Sequence, residues 1–593
     1  MEHSDSDAGI GARIFLVAFG ALAAFCLWIL ADSWGNSILQ PRPFLTLFTF
    51  AAVLFGVSLA LSGPLPIGRS ILGGLMLAIP VSALITWAGF RFDEASQFLD
   101  EPSALAIAGV IVLFATPFVS TFLTDRARWL EYDVLFDTAW SIAVRYVAGW
   151  LFVAVFWTVV FLSNALLELV GIDIIEVLFD VDWVRFALSG AVLGLGLAVA
   201  FELRDYVSPR IVLRMLRLLL PILLAVVAVF VAALPLRGLS QLFGDFSSAA
   251  TLMGVAIAAI SLISIALDRD DRYGINTRGM KAAARSLALL VPVLSGLALW
   301  AVALRVMQYS WTPDRVLAAT VAAVLLIYGV VYAIAALRGR GWRQAIRRSN
   351  VTMALLSLGV AAVWLTPILH AERISAQGQL GRYISGEATP EQLPLWELAT
   401  NWGRAGQAVF AQLQGLADDR SDTDLATRLA AVGTADSRYA FERDVQNQRA
   451  QAQLGDLVPL IAIRPEGAVA LREEMFAQVP EYWLSRWRDG CARPTPQEPG
   501  CVLILGPFLP ELAAQRQGIL LFQADQRVAA SHLVFGENGV IQDRIRQLYD
   551  GATGNWSDFP PDAISQALDG AFAIVPSGIS ALQIGDARLV PGN

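Results

Sequence analysis

The sequence predicts an all-α polytopic transmembrane bundle of about 11 helices, followed by a C-terminal soluble region that is first α and then α/β. Three observations predict it. Apolar stretches alternate with short polar links as far as residue 369, arginine is sorted among those links, and hydropathy falls after Leu369 and stays low. The stretches are Gly11–Ala31, Pro43–Ser62, Ile67–Phe90, Ala104–Thr124, Tyr146–Leu167, Trp183–Glu202, Ile211–Ala233, Ser248–Leu267, Arg285–Met307, Arg315–Leu337 and Val351–Leu369. Each has roughly the 20 residues that a helix rising about 1.5 Å per residue needs to cross a hydrocarbon core of ~30 Å. The chain is 56% apolar and 16% charged, where an ordinary soluble protein is about a quarter charged.

The leading segment Met1–Gly9 is acidic, and only Arg13 stands at the edge of the first apolar run. A secretory signal has a basic front and a core of about 7–15 apolar residues, so this run is expected to remain as a span. Every other link, starting from the N-terminus and including residues at the span edges, together holds 19 Lys and Arg; the complementary links hold 6. Basic loops stay in the cytoplasm. The N-terminus is therefore expected in the cytoplasm, and an odd number of spans carries everything from His370 onward to the far side.

The basic links include Glu202–Arg217, Asp268–Arg285 and Arg338–Arg348, the last with five Arg and no acid. Control of topology accounts for them; binding of a lipid headgroup or a cytoplasmic protein is the sharper reading. The opposite links are acidic, as in Glu168–Asp182. The link Asp125–Arg145 is mixed and carries Trp129, Tyr132, Leu135, Phe136 and Trp140, the pattern of a short helix lying in the interface. Pro80, Pro117, Pro221 and Pro292 fall inside spans, where neighbouring helices can satisfy the freed carbonyls. Gly190 and Gly194 make a small-xxx-small face suited to close helix packing. No ionisable residue is expected near the middle of any span, which weakens proton-coupled transport and cation channels.

Three domains follow from this: 1–369 in the membrane, 370–455 helical, and 456–593 a small α/β unit. Residues 370–593 carry 18 Arg, no Lys and 27 acids, a net charge of −9. That balance excludes nucleic acid as a partner, since such partners require a basic footprint. Thr389-Pro390-Glu391-Gln392 has the form of a capping box, and a polar helical region over Asp422–Ala450 is interrupted near Gly433. Val502–Leu505, Gly518–Gln523 and Arg527–Phe535 read as strands, the last two joined through Ala524-Asp525-Gln526; Phe572–Val575 and Leu582–Ile584 add more. Cys491 and Cys501, ten residues apart in an exported domain, read as a disulfide worth roughly 2–3 kcal/mol. Cys26 lies within the first span.

Few residues are suited to catalysis. His3, His370 and His532 are scattered and have no metal-ligand spacing, so neither a metal nor a cofactor is expected, and no phosphate-binding glycine loop occurs. Two segments are distinctive. Tyr309-Ser310-Trp311-Thr312-Pro313-Asp314-Arg315 starts a helix, with Thr312 as cap and Asp314 at the positive end of the dipole. After the last apolar stretch come Ile374-Ser375-Ala376-Gln377, Gln379, Arg382 and Trp402-Gly403-Arg404-Ala405-Gly406.

These segments resemble bacterial membrane proteins grouped as domain-of-unknown-function family 4153, over roughly residues 10–415. The resemblance implies an inner-membrane location in a Gram-negative-type bacterium and no particular activity. The expected role is a non-enzymatic envelope protein, embedded in the lipid bilayer, that presents a periplasmic domain to an envelope protein or glycan. Trp311, Asp314, Arg315, Arg382 and Arg404 are its candidate junction. The alternatives are a transporter or lipid translocator, and a membrane-bound transferase using Asp173, Glu176, Asp180 and Asp182.

Overall fold

The computed structural model describes residues 2–589 except 94, 100–101, 204–208, 238–245, 469, 477, 494–499, 510–511, 513, 525–526, 537, 542–545, 548–561, 575–581 and 585–586. The chain divides into two compact units, Met1–Leu425 and Ala426–Asn593.

Apolar composition drives the first unit into helices, because a helix satisfies its own backbone where water is absent. They are α1 (Glu2–Gly35), α2 (Pro41–Leu61), α3 (Ile67–Gly89), the short α4 (Ala95–Leu99), α5 (Pro102–Thr124), α6 (Tyr132–Glu168), the short α7 (Ile174–Phe179), α8 (Asp182–Glu202), α9 (Pro209–Arg217), α10 (Leu219–Arg237), α11 (Phe246–Leu267), α12 (Arg278–Tyr309), α13 (Pro313–Leu337) and α14 (Trp342–Trp364). Among the described residues, ten helical spans are long and apolar enough to cross a membrane, with α9 and α10 together making one of them. The chain is a polytopic membrane protein.

α14 is not one of these ten, yet it also runs from one end of the bundle to the other. Its first turns are polar and it becomes predominantly apolar only from Val351. Arg347 near its start donates to Leu267 O at the end of α11, while Trp364 O at its other end accepts from Arg91, just past α3. Polar contacts between links elsewhere obey the same alternation: Arg13 with Glu202, Arg145 with Ala60 O and Ser62 O, Arg269 with Asp137 and Arg285 with Ala336 O at one end. Arg42 with Phe92 O and Arg404 with Asp93 lie at the other. We call these the basic end and the platform end. The start of α1 and the residues after α14 are thus at opposite ends.

The reading of the link 125–145 needs correction. The link 125–145 is not a separate interfacial helix: Tyr132 begins a continuous α6 of 37 residues. Its charges are tolerated because each has a partner, with Asp133 paired to Arg128 and Asp137 to Arg269. Arg145 therefore lies inside a helix, buried, donating to the carbonyls at the end of α2. Pro221 lies inside the span that α9 and α10 make together, directly after the break at Leu218 that separates the two helices. Pro80, Pro117 and Pro292 are interior, as is Pro235.

Gly190 and Gly194 do serve close packing. A Cβ at either would collide with the backbone of α1, at Gly20 and Leu16, so only glycine lets α1 and α8 approach this far. Beyond α14 come α15 (Ala371–Ser385), α16 (Leu395–Thr400) and α17 (Gly403–Arg420), all in the first unit. The capping box of Thr389 and Gln392 forms, around a single 3₁₀ turn.

The second unit holds α19 (Arg438–Leu457) and α20 (Glu481–Cys491), with α18 (Thr423–Thr434) running across the boundary and α21 (Ala563–Leu568) following the sheet. Its five-stranded sheet has the order β1 (Ile461–Arg464), β2 (Cys501–Leu505), β3 (Arg516–Ala524), β4 (Arg527–Phe535), β5 (Arg546–Gln547). β1 and β2 are parallel; the rest are antiparallel. Ala524 pairs with Arg527 and so belongs to the strand, not to the connection; 525–526 lie outside the described residues. β6 (Leu582–Ile584) pairs with β7 (Ala587–Leu589), whereas Phe572–Ile574 is not a strand and Val575 is not described. Cys491 and Cys501 form a disulfide, with Cα atoms 4.8 Å apart, joining the end of α20 to the start of β2. His532 is a buried strand residue whose Nε2 lies 3.1 Å from Gln517 Oε1, and that amide donates to Leu509 O and Leu512 O.

Candidate functional site

At the platform end, α12 stops because Ser310 adopts φ 61°, which is not helical. The carbonyls of its last turn then need donors from outside the helix. Arg315 Nη1 donates to Tyr309 O at 3.2 Å and Ser310 O at 2.7 Å. From α15, Gln379 Nε2 donates to Tyr309 O at 3.1 Å and Trp311 O at 3.2 Å, and Arg382 Nη2 donates to Gln308 O at 3.3 Å. The two guanidinium groups also face the negative end of the α12 dipole. Thr312 caps α13 by accepting from Arg315 N at 3.4 Å, as its sequence requires, and Asp314 is exposed in the first turn.

Two helical turns back along α15, Arg91 ties α14 to the segment after α3. Its Nη2 donates to Trp364 O at 2.5 Å and Thr366 O at 2.7 Å, and its Nη1 is 3.4 Å from Glu372 Oε2. Both side chains are buried. Burial lowers the Arg91 pKa, partly offset by Glu372. For Glu372, burial alone would raise the carboxyl, but the His370 hydrogen bond and the Arg91 charge outweigh it and hold the group below its ordinary range. His370 Nδ1 lies 3.0 Å from Glu372 Oε2 and also accepts from Arg373 N at 3.2 Å as the cap of α15. Gly403 packs against the same segment at φ 53°, with Arg91 O where a Cβ would come within 2.5 Å. Arg404 N then donates to Arg91 O at 2.9 Å and Arg404 Nε to Asp93 Oδ1 at 2.7 Å.

At the basic end the polar groups are deeper. Asn350 Oδ1 accepts from Tyr328 at 2.9 Å and from Tyr332 at 2.5 Å, and its Nδ2 donates to Ser264 at 3.2 Å. Asn350 Nδ2 also approaches the Tyr132 hydroxyl at 3.5 Å, so α6, α11, α13 and α14 meet at one amide. One layer outward, Arg217 pairs with Asp268 and donates to Ile265 O at 3.0 Å.

The structure brings Trp311, Arg315 and Arg382 together around the end of α12. It places Arg404 in a separate cluster with Arg91 and Asp93, so the expected junction is two clusters bridged by α15. Asp173, Glu176, Asp180 and Asp182 are all exposed, and Asp182 pairs with Arg185. Sequence reading missed Arg91, Glu372 and the Asn350 cluster. It quoted Gln379 without its role: buried, with Nε2 fixed by two carbonyls, its Oε1 has no donor among the described residues. No family model matches the chain, and no curated protein or solved structure matches it either.

Proposed function

We propose that the protein is a scaffold of a bacterial inner membrane, with its N-terminus in the cytoplasm, that holds the unit beginning at Ala426 in the periplasm for an envelope protein or glycan. Membership of family 4153 is part of this proposal and rests on the segments around Trp311, Gln379 and Arg404. The observation that carries it is how the distinctive polar residues are engaged. Gln379, Arg382, Arg315, Arg91 and Arg404 all end on backbone carbonyls or a neighbouring carboxylate, which makes α15–α17 a braced platform at the end opposite the basic links. The excess of arginine at the other end supports the orientation, and the disulfide suits an oxidising compartment.

Two measurements test it. Tyr439 is 74% exposed in the second unit, and Arg272 is exposed at the basic end. Tyr439→Cys should react with a membrane-impermeant maleimide in cells whose outer membrane is permeabilised, and Arg272→Cys only after lysis; the reverse pattern overturns the orientation. In a deletion strain, a chain ending at Leu425 and present at normal membrane levels should fail to restore envelope resistance. Full restoration by that truncated chain would place the function in the bundle and favour the lipid translocator instead.

A further inference from the structure

The arginines of the α13–α14 connection are divided between two faces. Arg343 and Arg347 turn toward the link after α11, at 2.8 and 2.9 Å from the two oxygens of Asp271. Arg347 also donates to Leu267 O at 2.6 Å and Asp268 O at 3.1 Å. One carboxylate and two carbonyls therefore occupy that face.

The other face lines a pocket of about 410 Å³ with Arg338, Arg340 and Arg348, together with Gln344 and Thr352. Arg338 and Arg340 are carried there by a tight turn in which Gly339 and Gly341 take φ 74° and 81°, values that favour glycine. Among the described residues none of the three arginines pairs with a carboxylate, and the connection supplies no acid of its own. Gly341 caps α14 without a side chain, so the positive end of that helix dipole adds to the same field. Guanidinium groups so grouped match the oxygens of a phosphate.

The rest of the pocket narrows the choice. Val331 and Met353 form apolar wall. On α13 the exposed residues Ile327, Val330, Ile334 and Leu337 follow one another at helical spacing up to Arg338. A free phosphate has no use for such a stripe, whereas a lipid acyl chain does. Basic pockets at the ends of membrane helices bind anionic headgroups for this reason.

We propose that this pocket binds the phosphate headgroup of an anionic phospholipid, with its acyl chains along the α13 stripe. The assignment is independent of the scaffold reading. Full-length protein in neutral detergent is titrated with phosphatidylglycerol, phosphatidylcholine or inorganic phosphate, and bound ligand is read by mass spectrometry of the intact complex. Phosphatidylglycerol should bind in preference to phosphatidylcholine, and R338Q/R340Q/R348Q should weaken it by about tenfold or more. R69Q/R126Q/R272Q removes the same charge from exposed sites at the same end and should change binding by less than about twofold. Thr352→Glu, an exposed single change that sets a carboxylate against the headgroup, should also weaken binding and decides the matter if the triple variant does not fold. Equal loss in both triple variants, no preference for the anionic lipid, or inorganic phosphate binding as tightly as the lipid would each overturn the proposal.

Discussion

The two ends of the bundle use the same residue type for different purposes. At the platform end, Arg91, Arg315 and Arg382 are held against helix-terminal carbonyls. At the basic end, Arg347 does the same work for α11, but Arg338, Arg340 and Arg348 stay exposed around a pocket. Arginine suits both settings because its planar fork satisfies carbonyls and phosphates alike and never loses its charge. The difference teaches that the sorting of arginine is not topology control alone. The few at the platform end are structural clamps, and the many at the basic end include a surplus over what packing requires.

The comparison breaks most readily at Arg91. Its side chain is 8% exposed and that of Glu372 11%, so Arg91→Ala leaves the carboxylate without its arginine and the Trp364 and Thr366 carbonyls without their side-chain donor. Removing one member of a buried pair costs about 3–5 kcal/mol, which should appear as a large fall in melting temperature of the detergent-solubilised protein. Arg404→Ala, taken from an exposed pair at 54% and 51%, should cost less than about 1 kcal/mol. Similar losses for the two would mean that the platform is held by its exposed contacts and not by the buried clamp.

The deep cluster at the basic end is the next lever. Asn350→Ala would leave the Tyr328 and Tyr332 hydroxyls without their shared acceptor. The expected cost is about 1–2 kcal/mol, because polar contacts inside membrane proteins are individually modest. Asn350→Asp keeps the acceptor and should behave differently from Ala in the same melting assay. If Ala is neutral, the cluster is a passive meeting point and not a brace between α6, α11, α13 and α14.

How much of this was legible in the sequence follows from what hydropathy measures. Spans such as Ser248–Leu267 coincide with their helix end because their polarity changes abruptly. The apolar stretches that begin at Tyr146 and Val351 start well inside α6 and α14, because an averaged profile counts Asp137 or Arg347 as a cost and is blind to the partner that cancels it. The Asn350 cluster escaped for a related reason: a search for charges inside spans passes over an uncharged amide and three tyrosines. In the candidate site, Thr312 as a cap was readable because the cap is local. The bond from Gln379 to Trp311 O, and the pairing of Arg91 with Glu372 from 281 residues away, depend on tertiary packing that no spacing rule encodes.

The smallest effect in this comparison is one of pH at Glu372. Its folded pKa is held below the ordinary carboxylate range, because the His370 hydrogen bond and the Arg91 charge outweigh the opposing effect of burial. The unfolded chain therefore takes up a proton at higher pH than the folded one. Stability from this group is complete above the ordinary value of about 4.3 and is lost as pH falls through the depressed folded value. Glu372→Gln should thus be less stable than the parent at pH 7, with the gap narrowing on acidification below about pH 4. His370 Nδ1 lies 3.0 Å from the same carboxylate, so His370→Gln separates its contribution from that of Arg91. A gap between Glu372→Gln and the parent that stays constant from pH 7 to pH 3 would show that the Glu372 charge contributes nothing to the platform, and that Arg91 holds α14 through the Trp364 and Thr366 carbonyls alone.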